Sequence, residues 1–564
     1  MFNFIEYLKY ESTRKSFFKI KLKDLKQGIN NFNDYIIVFN DEIKIYNRKC
    51  DHQGGKLIIK NKEIICPLHN WKFDALKGSY TNGFKKKTIG YKIFNDEIFI
   101  EEKKVYPKIF KTKQKKNTRV RFFNHAFLKI YGENFSFVTD PWAFGPAFNT
   151  GWWLKKNTKV DWLSEVNSCD FIYISHNHPD HLHPLTLNKI NKNIPIIVGK
   201  FASDSAGKYM ESLGFKKIFR LEFSNVYRYG NTDLYLSLLK SGDFRDDSGI
   251  YFSNGSFSGL LDVDSNSINF DKLPKVDIYG SSFGGGASGY PLMFDNYSTK
   301  EKMEIINRNK KNFFYLKLSR INKILPKFFL PYASFFDEKL ERDKFIKTHN
   351  KKNLIDIYEK ELVKKEIKIL NPVKNDIFKF YGNELIKETL VNNKKYKDID
   401  PLIYLKNYKK IYKEINYNFI KNYFLKSKFN DNLILAVSLT SDNFRVSKHN
   451  FIVDFSKKNV TFNIKKTINF SDLKNKNKNK KLLYLKSRKE SFLNTVYNLN
   501  PWEDLMIGFQ VKILRIPNIY NFKFWYHFNN IYIKSKNIRK SKNCDFCDIL
   551  KHEIDKIIYE KVAN

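Results

Sequence analysis

Cysteine is scarce in this chain, with five residues among 564. So few cysteines cannot form a disulfide framework in a protein of this length, so closely spaced pairs are better explained as metal or redox ligands. The chain also lacks an apolar run of the ~18 residues that a membrane span needs. Its start carries Glu6, Lys9 and Glu11 where a secretory signal would need an apolar centre. We therefore expect a soluble, cytoplasmic protein.

Acidic residues are also few, since 59 Asp and Glu stand against 101 Lys and Arg, which gives a formal net charge of +42. Two explanations remain open: a polyanionic partner, or the coding bias of an AT-rich genome, which also enriches Asn, Ile, Phe and Tyr. The lysines are spread along the chain and are not interleaved with aromatics in a recognisable nucleic-acid-binding module. We expect no nucleic-acid partner, although the charge favours anionic substrates.

The hydrophobic fraction of 42% predicts a folded protein, and the chain is long enough for several domains. Residues 17–107 contain short segments rich in branched and aromatic residues, which predict an all-β domain. A lysine-rich stretch, 101–119, is interpreted as a linker. Residues 118–345 alternate strand-like and helix-like segments, which predicts a layered α/β domain. Residues 346–564 predict an α+β region of unclear role, with 473–490 as a solvated loop.

The first group of ligand-type residues is Cys50-x-His52, followed after thirteen residues by Cys66-x-x-His69. Two thiolates on one iron and two imidazoles on the other are the ligands of a Rieske [2Fe–2S] centre. A Cys₂His₂ zinc site is the alternative, but zinc fingers usually place both cysteines before both histidines. The pattern favours a Rieske cluster, and therefore a protein that carries electrons.

The second group follows an apolar segment, FIYIS, and reads His176-x-His178-x-Asp180-His181. His176 and His178 can share one metal ion, while Asp180 and His181 face a second position. Imidazoles with a carboxylate suit zinc or iron and leave positions open for other ligands. The strand followed by H-x-H-x-D-H resembles the metal-binding signature of the metallo-β-lactamase fold, which implies an αββα domain.

That resemblance implies further ligands downstream. The fold usually supplies a bridging aspartate, for which Asp264 is the candidate and Asp262 the alternative. It usually supplies another histidine as well, but the corresponding segment has none, and Asp243 stands about where the histidine is expected. A carboxylate-richer ligand set favours iron over zinc. Asp140, in an Asp-Pro pair, is expected at the end of a strand at the edge of the active site.

A Rieske domain followed by such a domain resembles the CMP-N-acetylneuraminate hydroxylase family. The resemblance extends from about residue 20 to 535 and includes CDHQGG, CPLHNWKFD, DPWAFGPAFNTGWWL, IYISHNHPDHL, FGGGASGYP and IGFQVKILRIPNIYNFKFWYHF. It implies a monooxygenase that hydroxylates the N-acetyl group of an anionic sugar nucleotide. It also implies one or two iron ions, O2 as co-substrate, and electrons from NAD(P)H through a reductase and a b-type cytochrome or ferredoxin.

Two alternative functions remain open: the same chemistry on another N-acyl sugar nucleotide, or hydrolysis at a metal site of the lactamase type. Several residues also keep two interpretations. The loop Gly284–Gly286 either contacts a phosphate or sugar or is a plain tight turn, and Trp152 and Trp153 either line a pocket or belong to the core. His125 and His527 either line the site or belong to the core, and the core is favoured. Cys544-x-x-Cys547 either binds a metal or cycles redox, or is an incidental pair, which is favoured. His183 is interpreted as a loop residue and Cys169 as buried.

Overall fold

The computed structural model describes most of the chain, and all structural statements below concern these residues: 4–8, 13–32, 34–48, 50–51, 57–60, 63–66, 71–105, 112, 114–201, 203–223, 225–241, 246–265, 268, 276–362, 366–457 and 459–530. The predicted ligands His52, His69 and Asp243, and the pair Cys544 and Cys547, lie outside them. None of the described helices combines the length and apolarity required to cross a membrane.

The N-terminal region is built from short strands, and all of them except β1 form three small antiparallel sheets, with orders β10-β11-β2, β3-β4-β5 and β6-β7-β8-β9. The β10–β11 hairpin closes through Asn95 and Asp96, both with positive φ, as a two-residue hairpin loop requires. The strands are β1 (Phe4–Leu8), β2 (Thr13–Lys21), β3 (Gly28–Asn31), β4 (Tyr35–Phe39), β5 (Ile43–Asn47), β6 (Ile58–Lys60), β7 (Glu63–Ile65), β8 (Lys72–Asp74), β9 (Ser79–Tyr80), β10 (Lys92–Phe94) and β11 (Glu97–Val105).

The central region contains seventeen further strands and six α-helices. The strands are β12 (Asn117–Asn124), β13 (Phe127–Tyr131), β14 (Ser136–Thr139), β15 (Trp153–Leu154), β16 (Phe171–Ile174), β17 (Ile196–Gly199), β18 (Ile218–Leu221), β19 (Val226–Tyr229), β20 (Tyr235–Lys240), β21 (Ser248–Ser253), β22 (Ser258–Leu261), β23 (Ile278–Ser282), β24 (Phe328–Tyr332), β25 (Phe336–Asp337), β26 (Lys368–Ile369), β27 (Ile377–Tyr381) and β28 (Glu384–Thr389). The helices are α1 (Trp162–Asn167), α2 (Pro184–Lys189), α3 (Ser205–Ser212), α4 (Thr299–Ile324), α5 (Lys344–His349) and α6 (Ile355–Leu362).

Two eight-stranded sheets form the inner layers, with orders β1-β19-β20-β21-β22-β23-β24-β26 and β18-β17-β16-β14-β13-β12-β27-β28. One continuous apolar core contains side chains from both sheets, such as Phe137 and Leu260. A second core packs Trp162, Leu187 and Met210 of helices α1 to α3 onto the outer face of the second sheet. The arrangement is the predicted αββα layering.

The C-terminal region contains a five-stranded sheet of order β31-β30-β29-β32-β33, in which β29 and β32 are parallel. Its core includes Leu435 and Trp502 and continues into the N-terminal region through Cys50, Cys66 and Trp71. The elements are α7 (Pro401–Ile411), α8 (Tyr417–Lys426), β29 (Leu433–Thr440), β30 (Val446–Asp454), β31 (Thr461–Lys465), α9 (Phe470–Lys476), β32 (Lys481–Arg488), α10 (Lys489–Tyr497), α11 (Glu503–Ile507), β33 (Val511–Ile516) and α12 (Phe522–Asn530).

Two details differ from the sequence interpretation. Residues 101–105 of the expected linker are the end of β11, paired with β2. The expected solvated loop at 473–490 contains the largely buried strand β32, because the neighbouring strands β29 and β33 pair with it on both sides. The domain limits 17–107, 118–345 and 346–564 remain predictions. Three strands beyond residue 345 belong to the central sheets: β26 to the first, and β27 and β28 to the second.

Candidate metal and electron-transfer site

The histidine-rich loop begins where β16 ends. All four residues of β16 are buried, and the strand pairs in parallel with β14 and β17, so its carboxyl end opens at the edge of the sheet. The loop closes on itself because the amides of His181 and Leu182 donate to the carbonyl of His178. His183 then caps α2, because its Nδ1 accepts from the amide of Thr186 and its Nε2 donates to the carbonyl of Pro146, so it has a structural role.

Asp140 fixes the orientation of two loop histidines. Its Oδ2 lies 2.9 Å from Nδ1 of His181 and 2.7 Å from the Ser175 hydroxyl, which donates to it. That hydroxyl therefore accepts from Nδ1 of His176, at 2.9 Å. Both rings are held with Nδ1 occupied, so Nε2 of each is the potential metal-binding atom. Nε2 of His176 also lies 2.9 Å from Nδ1 of His178. Asp140 itself has a positive φ of 39°, a strained backbone that is common at functional sites.

Two overlapping groups of side chains have the spacing of metal ligands: His125, Asp180 and His181, and His176, His181 and Asp264. Oδ1 of Asp180 is buried without a hydrogen-bond partner in the described part of the chain. A buried carboxylate oxygen left without a donor is unfavourable unless a cation binds there. The donor set therefore fits one or two transition-metal ions.

The charges of this cluster are strongly coupled. Burial alone would raise the pKa of Asp180, but His181 and the hydrogen bond from His125 hold it well below its usual range. Burial would lower the pKa of His181, but Asp180 raises it well above the ordinary value. A metal ion would replace the protons that the histidines hold in its absence.

The C-terminal region contributes to the same site through α11. Oε2 of Glu503 lies 3.8 Å from Nε2 of His178. Burial alone would lower the pKa of that histidine, but the nearby carboxylates, Glu503 foremost, raise it. The neighbouring Asp504 is buried, and burial raises its pKa well above the usual range. At Gly508, directly after α11, the chain packs closely against Phe148. A Cβ at this position would lie 2.2 Å from the carbonyl oxygen of Phe148, so the close approach requires glycine.

The structure brings Asp264 to the cluster, with Oδ2 3.7 Å from Nε2 of His181. The alternative, Asp262, is in neither ligand group; it accepts a hydrogen bond from the hydroxyl of Tyr279 at 2.6 Å. Asp243 lies outside the described residues, but Asp247, four positions along the chain, is buried and its charge contributes to the raised pKa of His178. Asp247 is thus a further carboxylate candidate in the segment that lacks the expected histidine.

A pocket opens over this cluster. His178, Asp180 and Asp264 line one part of it, and the glycine loop lines another through Gly285 and Gly286. Trp152 lines the pocket and stacks on Phe336 at 3.5 Å between ring centroids, so it combines both predicted roles. Trp153 is fully buried in the core, as is His527, which bonds the carbonyl of Ser427.

The two predicted thiolate ligands of the first cluster, Cys50 and Cys66, are buried in one apolar core. The amide of Cys66 donates to the carbonyl of Trp71 at 2.7 Å. Beside Cys50, Asp51 forms a buried ion pair with Lys86 at 3.1 Å. Two buried cysteines that form no disulfide fit the thiolate half of an iron–sulfur cluster.

Tyr520 connects the two sites. Its ring lies 5.7 Å from that of Trp71, and its hydroxyl donates to Oε1 of Glu503 at 3.2 Å. Tyr520 also lines the pocket over the metal cluster. The expected electron-carrying domain and the expected metal site are therefore in contact within one chain.

The sequence leaves His125 with two interpretations, site or core, with the core favoured, and it does not single out Asp247, Glu503 or Arg515. His125 is buried, but its Nε2 lies 3.1 Å from Oδ2 of Asp180. The one local signal was its position between two strands, β12 and β13, where a positive φ turns the chain. Asp247, Glu503 and Arg515 lie in segments far from the histidine loop along the chain, so no sequence motif links them to it.

Comparison with known proteins gives a family model for the N-terminal domain and relatives that match most of the chain. A family model described as Rieske [2Fe-2S] domain matches residues 17–91. A cytidine monophosphate-N-acetylneuraminic acid hydroxylase of Xenopus laevis is 28% identical, over 90% of this chain and 92% of the relative. Its counterpart from Asterias rubens is 28% identical, over 85% of this chain and 78% of the relative.

Among solved structures, the diiron β-hydroxylase CmlA of Streptomyces venezuelae matches 48% of this chain and 55% of its own, with a TM-score of 0.32 and 15% identity. The resemblance inferred from the motifs is confirmed by the curated relatives over most of the chain. The matches indicate a hydroxylase-type oxidoreductase with an N-terminal Rieske domain.

Proposed function

We propose that this protein is an iron-dependent monooxygenase that converts CMP-N-acetylneuraminate to CMP-N-glycolylneuraminate with electrons delivered through its Rieske domain. The observation that carries the proposal is the contact between the two sites: Tyr520 packs on Trp71 of the Rieske domain and lines the pocket that contains His178. The similarity to named hydroxylases along most of the chain supports the substrate.

The residues that would hold the [2Fe–2S] cluster are Cys50 and Cys66 on one iron and His52 and His69 on the other. When bound, the cluster supplies single electrons at a potential above that of an all-cysteine cluster. The protein contributes a dry environment, because both thiols are buried in the core that the N-terminal and C-terminal regions share.

The residues that would hold iron are proposed from the ligand groups and the sequence pattern: His176, His178, Asp180, His181 and Asp264, with Asp243 or Asp247 in place of the missing histidine and His125 beside Asp180. Iron, when bound, supplies the redox chemistry with O2 that insertion into a methyl C–H bond requires, which zinc does not. A carboxylate-rich set supports iron in preference to zinc.

The remaining side chains position these ligands. Asp140 and Ser175 fix the ring orientation of His181 and His176, and Glu503 contacts His178. The stacked rings of Trp152 and Phe336 form an apolar wall that excludes water from the part of the pocket near the proposed iron ligands. Such outer partners commonly set both ligand geometry and metal affinity.

An electron-transfer protein, either a b-type cytochrome or a ferredoxin, is proposed as the donor, with a reductase that oxidises NAD(P)H. The positive net charge of +42 supports an acidic donor and an anionic substrate. A cytoplasmic location is also a proposal, since a sugar nucleotide and a reduced pyridine nucleotide would both be available there.

The test is mass spectrometry of CMP-N-acetylneuraminate after incubation with iron-reconstituted protein, a chemical reductant and air. The expected product gains one oxygen atom on the acyl group, and only when the reductant is present. An unchanged nucleotide would refute this substrate and favour another N-acyl sugar nucleotide. Cleavage with or without reductant would instead support a hydrolase.

A further inference from the structure

Arg515 is a buried charge at a position where its strand otherwise buries apolar side chains. In β33 the buried residues alternate, and Arg515 follows Val511 and Ile513 in that inward register. Only 9% of Arg515 is exposed, and it lines the pocket over the metal cluster. A charged side chain at an inward-facing strand position needs a specific reason, because burial of an uncompensated charge is unfavourable.

The contacts of Arg515 hold it but do not neutralise it. Nε donates to Oδ1 of Asn518 at 3.0 Å, and the guanidinium lies 4.8 Å from the centre of the Phe294 ring. The backbone is clamped as well, since the amide of Arg515 donates to Asn296 and its carbonyl accepts from the same side chain. The position of the guanidinium is therefore fixed before any ligand binds.

The groups that act most strongly on the charge of Arg515 are phenols, and no carboxylate is among them. Burial lowers the pKa of Arg515, and the groups that oppose this effect are the phenols of Tyr297, Tyr290 and Tyr520. Tyrosine has an ordinary pKa of about 10, so these groups are neutral near pH 7. Within the described parts of the chain, Arg515 forms no ion pair with a carboxylate.

The pocket connects Arg515 with the metal cluster. Tyr520, beside Arg515, donates to Glu503, and Glu503 contacts His178. Two lysines, Lys310 and Lys351, also line the pocket, but Lys351 is exposed and Lys310 is partly exposed. A planar guanidinium binds carboxylates and phosphates through two parallel hydrogen bonds, which a lysine cannot do.

We propose that Arg515 is the anchor for an anionic group of the substrate, a carboxylate or a phosphate, and that it holds this group in the pocket beside the metal site. The identity of the substrate rests on the proposed function. The role of Arg515 is to determine binding and orientation, and it takes no part in the redox chemistry.

The test is calorimetric titration of the reconstituted full-length protein with three probes: CMP, free N-acetylneuraminate, and CMP-N-acetylneuraminate. CMP presents only the phosphate, and the free sugar presents only the carboxylate. R515Q is expected to weaken binding of the complete nucleotide by about ten- to one-hundredfold, as expected for loss of a charged hydrogen-bond pair. R515K keeps the positive charge but not the two parallel hydrogen bonds of a guanidinium, so its affinity should fall between those of R515Q and the original protein.

Lys512→Gln is the matched control, because it removes one positive charge from the same strand at a partly exposed position outside the pocket. Loss of affinity for CMP alone would assign the phosphate to Arg515, and loss for the free sugar alone would assign the carboxylate. Equal affinities of the original protein, R515Q and R515K for all three probes would overturn the inference. Should R515Q not fold, the comparison of R515K with Lys512→Gln decides in the same way.

The hydroxylation assay, run on the same samples, separates this inference from the proposed function. Arginine-dependent binding without hydroxylation would refute the function and leave the anion site in place. Hydroxylation with an unchanged KM in R515Q would refute the anion site and leave the function in place. If the original protein binds none of the three probes, both are wrong.

Discussion

Glu503 and His178 are in contact, with Oε2 of Glu503 3.8 Å from Nε2 of His178. The histidine follows a strand of the central sheets, and the glutamate begins a short helix of the C-terminal region. This contact gives the C-terminal region a role that its sequence did not reveal, because it places an acidic side chain against the proposed metal ligands.

Replacing Glu503 with glutamine should therefore weaken the metal site. We expect E503Q to lose about ten- to one-hundredfold in iron affinity or turnover, the usual cost of removing an outer partner of a metal-binding histidine. Iron content after dialysis against a graded chelator, together with turnover, measures the effect. Glu490→Gln in the preceding helix is the control, and identical iron retention in E503Q and that control would refute the role.

Removal of Asp140 should affect the same site by another route. Asp140 accepts from His181 and the Ser175 hydroxyl through Oδ2 and from the Ser175 amide through Oδ1. D140N keeps the shape but has only one acceptor oxygen, so its NH2 group must face a donor on one of these sides and the orientation of the rings is no longer fixed. We expect the affinity of the second site for iron to fall by about tenfold or more, while the content of the [2Fe–2S] cluster stays unchanged. Asp170→Asn, at the opposite end of β16, is the control. A variant that binds iron as tightly as the original protein would contradict this account of Asp140.

Substitution of Cys50 or Cys66 by serine should abolish the iron–sulfur cluster and leave iron at the second site. The reason is that a neutral hydroxyl does not replace a thiolate as a ligand of this cluster. Visible absorption and electron paramagnetic resonance of the reduced protein report the cluster directly. Cys169→Ser provides the control, because this buried thiol packs in a separate core, where burial raises its pKa to about 12. An intact spectrum in C50S would rule out the proposed ligand.

Gly508→Ala should destabilise the docking of α11. Its new methyl group would lie 2.2 Å from the carbonyl oxygen of Phe148, and the backbone would have to move. Overpacking of this kind costs about 1–3 kcal/mol of unfolding free energy. Denaturant unfolding measures it, with Gly90→Ala as a control where nothing lies within 4 Å of the added methyl group. Equal unfolding free energies would show that the contact relaxes.

Asp442 should make stability depend on pH. Burial opposes the charge, but Arg342 and Lys409 lower the pKa of Asp442 below its ordinary value of 3.8. A carboxyl group whose pKa is lower in the folded state stabilises the protein fully at pH values above its ordinary pKa. This contribution disappears as the pH falls through the folded-state pKa. The stability advantage over D442N should therefore be constant near neutral pH and shrink below about pH 4. An advantage that does not change down to pH 3 would contradict this assignment.

The sequence alone predicted the Rieske domain, the αββα layering and the histidine loop. These features are local: Cys50 and Cys66 each stand one or two residues from the second ligand of their loop, and the loop from His176 to His181 follows directly on its strand. Ligands in one tight loop are brought together by the turn itself, so their spacing reveals their chemistry without knowledge of the fold.

Tertiary structure decided the rest. The lysines around β32 predict a solvated loop, yet pairing with β29 on one side and β33 on the other buries this strand. His125, Glu503 and Arg515 reach the pocket from different sheets and helices, and no local pattern records which distant segments will pack together. Local spacing therefore predicted the ligand types of the two sites. Long-range packing determined which side chains surround them, because the N-terminal and C-terminal regions share one core.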